Sequence, residues 1–290
     1  MDHTSADAVQ APASASSGES GGLHVVEWSC ELVGTALLLL GGLSAVALDF
    51  GRGSPVAALV PSTSLRLLLT GTLFAGTGSL VAISPLGRRS GGHINPAVTL
   101  AFWLHRQVHR HDLAGYVAAQ FAGAILGTAL WRLLWGGIAD SVAGGVTRPG
   151  SGIVPLAAVG IEAVMTAMLV LVSLGFVSRR ATMRWTPLAT WITVAMLVWL
   201  GAPLTGTSLN PARSLGPALL ALYPSALWVY FVGPPLGAAA AALLSVPLFG
   251  GRRPVTAKLY HDPGHPSVFL RQSVPSAPRR RASARPSAGE

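Results

Sequence analysis

Two Asn-Pro-Ala tripeptides, Asn95-Pro96-Ala97 and Asn210-Pro211-Ala212, are the residues of this chain best placed to act on a small molecule. Their types suit the start of a helix rather than a reacting group. Asn is a favoured N-cap, Pro fits the first helical position, where an N–H would lack a partner anyway, and Ala propagates the turn. The chemistry on offer is that of a dipole end, with partial positive charge and a capping amide that can donate hydrogen bonds to an oxygen. Two such ends meeting in low-dielectric surroundings repel cations and protons and leave neutral molecules alone. Arg213 follows the second tripeptide directly and would add a fixed cation.

The elements that must position these residues are membrane helices. The 290-residue chain is 51% hydrophobic and 11% charged, with mean hydropathy +0.53, too apolar for an ordinary soluble domain. Six stretches reach the roughly 20 residues needed to span a bilayer: Trp28 to Leu48, Leu65 to Ile83, Leu113 to Leu134, Ile153 to Val177, Thr186 to Pro203 and Trp228 to Phe249. The apolar runs from Asn95 and Asn210 are too short to cross and read as re-entrant segments, with unwound approaches at Gly91 to Ile94 and Gly206 to Leu209 lining a cavity. At membrane depth Arg213 becomes a functional-site candidate, since an intramembrane charge is costly unless used.

An internal repeat ties the two tripeptides together. Glu31-Leu-Val-Gly-Thr-Ala opens one half and Glu162-Ala-Val-Met-Thr-Ala the other; Ser90-Gly-Gly-His-Ile-Asn95 matches Thr205-Gly-Thr-Ser-Leu-Asn210; Gly123 and Gly127 match Gly233 and Gly237. Each half holds three spans, an odd number, so the halves are inverted and their short segments enter from opposite faces to meet near the midplane. The glycine pairs allow close helix approach. Glu31 and Glu162 occupy equivalent positions and read as acceptors for the irregular loop of their own half. His93 belongs to the same packed loop.

Charge follows membrane topology. Of 20 Lys and Arg, 15 fall on one side of a six-span arrangement and four, Arg52, Arg66, Arg132 and Arg148, on the other, with Arg213 between. The bias predicts a multi-pass cell-membrane protein with both termini cytoplasmic. The net charge of +9 is therefore no sign of nucleic-acid binding. A proton-coupled transporter would need a titrating group in the path, and only Glu31 and Glu162 offer themselves; an intramembrane hydrolase would need a nucleophile and base at one depth, which the spans lack. No cofactor is expected. The cluster His105, Arg106, His109, Arg110 and His111 reads as solvated residues at the cytoplasmic mouth rather than as a metal site. Residues 1–22 read as a disordered extension, residues 23–250 as one channel domain with halves at about 27–135 and 153–250, and residues 251–290 as a disordered basic tail in contact with lipid headgroups at most.

Ser90-Gly-Gly-His-Ile-Asn-Pro-Ala-Val and Asn210-Pro-Ala-Arg-Ser resemble the signatures of the aquaporin and glyceroporin family over about residues 27–250. The resemblance implies an all-α membrane fold of six tilted helices and two half-helices, a homotetramer with one pore per subunit, and passive passage of water and small uncharged solutes without catalysis. It also implies a four-residue outer selectivity filter, which an ungapped count places at Ala75, Val198, Thr207 and Arg213. A one-residue shift in the segment 83–90 would put Phe74 in place of Ala75. Water-selective members resemble one another in an aromatic and a His at the first two positions, where this chain has Ala75 and Val198. Ser214, Ala218 and the Tyr230-Phe231 pair look aquaporin-like. The implied channel has a broad filter, with glycerol, urea or a neutral metalloid acid such as arsenite as candidate solutes beside water.

Overall fold

The computed structural model describes residues 23–224, 226–262 and 268. The extension expected at residues 1–22 and most of the tail beyond Asp262 lie outside the described residues. Among the described residues every regular element is helical.

Six helices are long and apolar enough to cross a membrane: Val25–Phe50, Thr63–Ile83, Arg110–Trp135, Pro155–Val177, Thr186–Thr205 (entered through a 3-10 turn at Met183–Trp185) and Leu227–Leu248. The first and third start nearly a turn before hydropathy alone would start them. Helical hydrogen bonding continues into polar residues such as Glu27 and Asp112 that a hydropathy window discards. Two shorter helices, Pro96–Leu104 and Pro211–Leu220, begin at the tripeptides. With 9 and 10 residues, at about 1.5 Å per residue each is about 14–15 Å long, half of a hydrocarbon core of about 30 Å. Placed tip to tip, the pair makes one broken span.

The repeat glycines set the packing within each half. A Cβ on Gly123 or Gly127 would stand 2.2 Å from the Leu32 or Ala36 carbonyl oxygen, and one on Gly237 would stand 2.0 Å from that of Ala163. So the third span lies directly on the backbone of the first, and the sixth on that of the fourth. The second and fifth spans close the bundle across the halves. Gly71 abuts the Ala195 carbonyl and Val198, while Ser79 Oγ donates to the Pro187 carbonyl at 2.9 Å and Trp191 Nε1 to the Thr72 carbonyl at 2.7 Å.

The described start of the tail, residues 251–262, is docked rather than disordered as expected. After a turn at Gly250 and Gly251 the chain runs back beneath the bundle, and Thr256 to Leu259 are buried. Val255 N donates to the Val177 carbonyl at 3.0 Å and Leu259 N to the Gly91 carbonyl at 2.9 Å. Lys258 Nζ donates to the Arg88 carbonyl. Main-chain bonds and the small side chains Thr256 and Ala257 dock this segment, so it needs neither the hydrophobic run nor the periodicity that marks an element in a sequence.

Candidate functional site

Both tripeptides cap their helices as their residue types dictate. Asn95 Oδ1 accepts from Ala97 N at 2.8 Å; Asn210 Oδ1 accepts from Ala212 N at 3.0 Å and Arg213 N at 3.4 Å. Pro96 and Pro211 occupy the first helical positions. The amide nitrogens cross to the opposite half. Asn95 Nδ2 donates to the Leu209 carbonyl and Asn210 Nδ2 to the Ile94 carbonyl, both at 2.9 Å. Each amide carries two hydrogens: one fixes the opposite loop, and the second is available to the cavity that both residues line.

The accepting carbonyls belong to strained residues. Ile94 has φ 45° and Leu209 φ 55°, the left-handed region that β-branched Ile in particular avoids. The buried carboxylates hold them there. Glu31 accepts from Ile94 N at 2.6 Å, His93 N at 3.0 Å, Ser90 Oγ at 2.6 Å and Gln120 Nε2 at 2.8 Å. Glu162 accepts from Leu209 N at 2.8 Å, Ser208 N at 2.9 Å and Thr205 Oγ1 at 2.7 Å. Apart from Gln120, which has no counterpart on Glu162, this is one device built twice, and it leaves neither carboxylate bare in a low-dielectric interior.

A continuous cavity of about 260 Å³ runs past both Asn residues and is lined by Ala75, Val198, Thr207 and Arg213 together with Phe74. Thr207 Oγ1 donates to the Leu197 carbonyl at 3.3 Å, and Arg213 Nη1 to the Gly145 carbonyl at 2.8 Å. The helix Thr63–Ile83 is unbroken through Phe74 and Ala75, and the Phe74 ring rests where Gly42 leaves room: a Cβ there would meet it at 2.5 Å. Ser214 is held between Thr147 and Ser208 hydroxyls, each at 2.6 Å. Gly92 to Ile94 and Gly206 to Leu209 also line the cavity.

His93 is fully enclosed. Its ring stacks on Phe102 with centroids 4.8 Å apart, its Nδ1 lies 3.2 Å from Thr99 Oγ1, and its Nε2 lies 2.6 Å from the Ala257 carbonyl. A carbonyl only accepts, so Nε2 carries the hydrogen. His93 thus joins the first re-entrant loop to the tail, whose Leu259 also lines the cavity.

Sequence reasoning missed Tyr116, Gln120 and the role of Tyr230. Tyr116 OH donates to the Ser90 carbonyl at 2.7 Å and Tyr230 OH to the Thr205 carbonyl at 2.6 Å, so equivalent loop positions are held by a phenol in both halves. Counted from the glycine pairs, Gln120 is the repeat counterpart of Tyr230, and Tyr116 sits one turn earlier. That offset hides the equivalence from a residue-by-residue alignment. The basic histidine cluster also divides. His105 is buried, with Nε2 2.9 Å from Ser245 Oγ; His109 and His111 instead gather with His24 about Asp112. His105 is therefore not a solvated residue, because the chain turns inward at the end of the first half-helix.

Residues 24–245 match the family model described as major intrinsic protein. Aquaporin NIP1-1 of Zea mays is 35% identical over 214 residues, covering 73% of this chain and 71% of that protein. The probable aquaporin AqpM of Archaeoglobus fulgidus is 37% identical, over 75% of this chain and 94% of its own length. Among solved structures, the aquaglyceroporin from Plasmodium falciparum superposes with a TM-score of 0.62 at 23% identity, covering 78% of this chain and 98% of that one.

Proposed function

This chain belongs to the major intrinsic protein family and is a multi-pass membrane channel, not an enzyme, for water and small uncharged solutes, and we propose that its filter is broad enough to pass a solute such as glycerol, urea or arsenite. The observation that carries the reading is the composition of the cavity wall at Arg213. Ala75 and Val198 supply no ring and no side-chain donor there, and Thr207 turns its hydroxyl hydrogen to a carbonyl. Arg213 then acts as the principal donor to a passing hydroxyl or amide oxygen and as a barrier to cations.

Proton and ion exclusion belongs to the two caps. The helix N-termini present their dipole ends to one point, and the second hydrogen of each Asn amide holds the oxygen of a water, whose own hydrogens then face away from the neighbouring water and break the proton relay. Charge bias supports cytoplasmic termini in a cell membrane. A homotetramer fits an apolar groove between the fourth and fifth spans, lined by Gly160, Val164, Leu197, Leu200 and Leu204, which would seat the lipid-facing ridge of a second copy.

The test is stopped-flow light scattering on proteoliposomes, comparing shrinkage under an impermeant osmolyte with re-swelling under glycerol, urea and arsenite, with a lumenal pH dye as a proton control. Fast shrinkage with re-swelling under at least one solute and no dye response is expected. Water flux without any re-swelling would overturn the broad filter.

A further inference from the structure

Away from the pore, four groups converge where the first and third spans begin. Asp112 is fully buried in the first turn of the third span, and Trp28 Nε1 donates to its Oδ1 at 2.9 Å, fixing the carboxylate plane. Three imidazole nitrogens approach it. His24 Nδ1, from the residue preceding the first span, lies 2.9 Å from both carboxylate oxygens; His111 Nε2 lies 3.1 Å and His109 Nδ1 3.6 Å from Oδ2. The rings crowd one another, with centroids 5.3–6.3 Å apart. His111 Nε2 is buried and makes no hydrogen bond despite its proximity to the carboxylate. The donor atoms of His24, His111 and Asp112 all lie within 4.8 Å of one another.

We propose that His24, His111 and Asp112, with His109 as the fourth and more exposed ligand, form a site for a divalent transition-metal ion of the zinc class.

The donor set is three borderline nitrogens and one oxygen, which suits Zn²⁺ and its neighbours and not Ca²⁺ or Mg²⁺, whose ligands are oxygens. The spacing fits as well. A tetrahedral ion with bonds of about 2.0–2.1 Å keeps its ligands about 3.3 Å apart; the distances from Asp112 Oδ2 to the three imidazole nitrogens, 2.9, 3.1 and 3.6 Å, surround that value. The donor atoms of His24 and His111 lie within 4.8 Å of each other, so His24, His111 and Asp112 form the core of the site and His109 must swing inward to complete it. Trp28 supplies the outer hydrogen bond that orients a ligating carboxylate. Without an ion, three imidazoles crowd one carboxylate oxygen. If charged, they repel one another; if neutral, the packing still leaves the buried His111 Nε2 without a hydrogen bond. A divalent cation among them removes both conflicts. It would also clamp the start of the first span to that of the third, on the same membrane side as the tail.

The test uses the full-length, tag-free protein in detergent, stripped with EDTA and titrated with Zn²⁺ by calorimetry, and separately with Co²⁺ to read coordination from the visible d–d bands. Wild type should take up one equivalent with a tetrahedral Co²⁺ spectrum and melt at a higher temperature in Zn²⁺ than in EDTA. The H24Q/H111Q variant should keep its water flux, lose the spectrum and bind Zn²⁺ at least tenfold more weakly, whereas H261Q should bind like wild type. Absence of saturable binding to wild type, or unchanged binding and spectrum in H24Q/H111Q, would overturn the site.

Discussion

The guanidinium of Arg213 lies 5.4 Å above the ring of Phe74, and Phe74 lines the same cavity as its chain neighbour Ala75. If Ala75 belongs to the filter, a ring at that position narrows the cavity. In the A75F/V198H variant, glycerol, urea and arsenite re-swelling should fall to the background of empty liposomes while water flux stays within the same order of magnitude. Retained solute flux in that variant would place the filter elsewhere. F74A, which removes the support beneath Arg213, should relax discrimination among solutes without abolishing flux.

Glu162, fully buried, accepts two main-chain hydrogens and one hydroxyl hydrogen. Replacing it by Gln exchanges an acceptor oxygen for a donor facing another donor, at a cost on the order of 2–3 kcal/mol. E162Q should therefore melt at lower temperature in detergent, and E31Q likewise, with the Arg213 side of the cavity affected more by E162Q. Equal melting of wild type and both variants would mean that the strained loops hold their own shape.

Close helix approach predicts a sharp contrast between two glycines. G237A puts a Cβ 2.0 Å from the Ala163 carbonyl oxygen, whereas nothing lies within 4 Å of one on Gly137. Overpacking of this kind costs typically about 1–3 kcal/mol and more where the obstacle is backbone. G237A should fail to elute as a homogeneous species from size exclusion; G137A should be indistinguishable from wild type.

Burial of Lys258 against the Arg88 carbonyl pushes its amine down to about 8, from the 10.5 of an exposed lysine, with Asp262 and Glu27 pulling it up and Arg89 pushing it further down. Because the docked value is the lower one, docking expels a proton. It is therefore at full strength above about pH 10.5, weakens as pH falls toward about 8, and is level below that. A fluorophore on H261C in a C30S background should show anisotropy that rises between about pH 8 and about pH 10.5. K258M should flatten the profile.

Leu259, in the segment after the sixth span, lines the cavity. Truncation after Arg253, or L259G, should raise unit water permeability in the same proteoliposome assay and expose His93 to solvent. An unchanged rate would mean that the segment packs beside the water path without restricting it.

Legibility in the sequence followed the physics of each interaction. Hydropathy exposes the spans because lipid demands a long apolar run, and the two Asn-Pro-Ala caps expose the half-helices because few residue types begin a helix so well. Glu31 and Glu162 were visible because the repeat doubles them. Tyr116 and Gln120 were not, since a turn of helix separates the two phenols from strict repeat register while leaving both on the loop they hold. The segment Val255–Leu259 carries no composition signal, because main-chain groups dock it. His24 and Asp112 are 88 residues apart, and no pattern along the chain joins them.

Ala257 meets His93 across 164 positions of chain, and this has a bearing on synthesis. The floor beneath the first re-entrant loop consists of residues that leave the ribosome after the sixth span. Until then the first half has its strained turn and its capped helix but no inner wall, and a nascent chain arrested at the end of that span would possess every helix of the channel and an unfinished entrance. Completion of the vestibule thus waits for a segment that follows the sixth span, 164 positions along the chain from the histidine it meets.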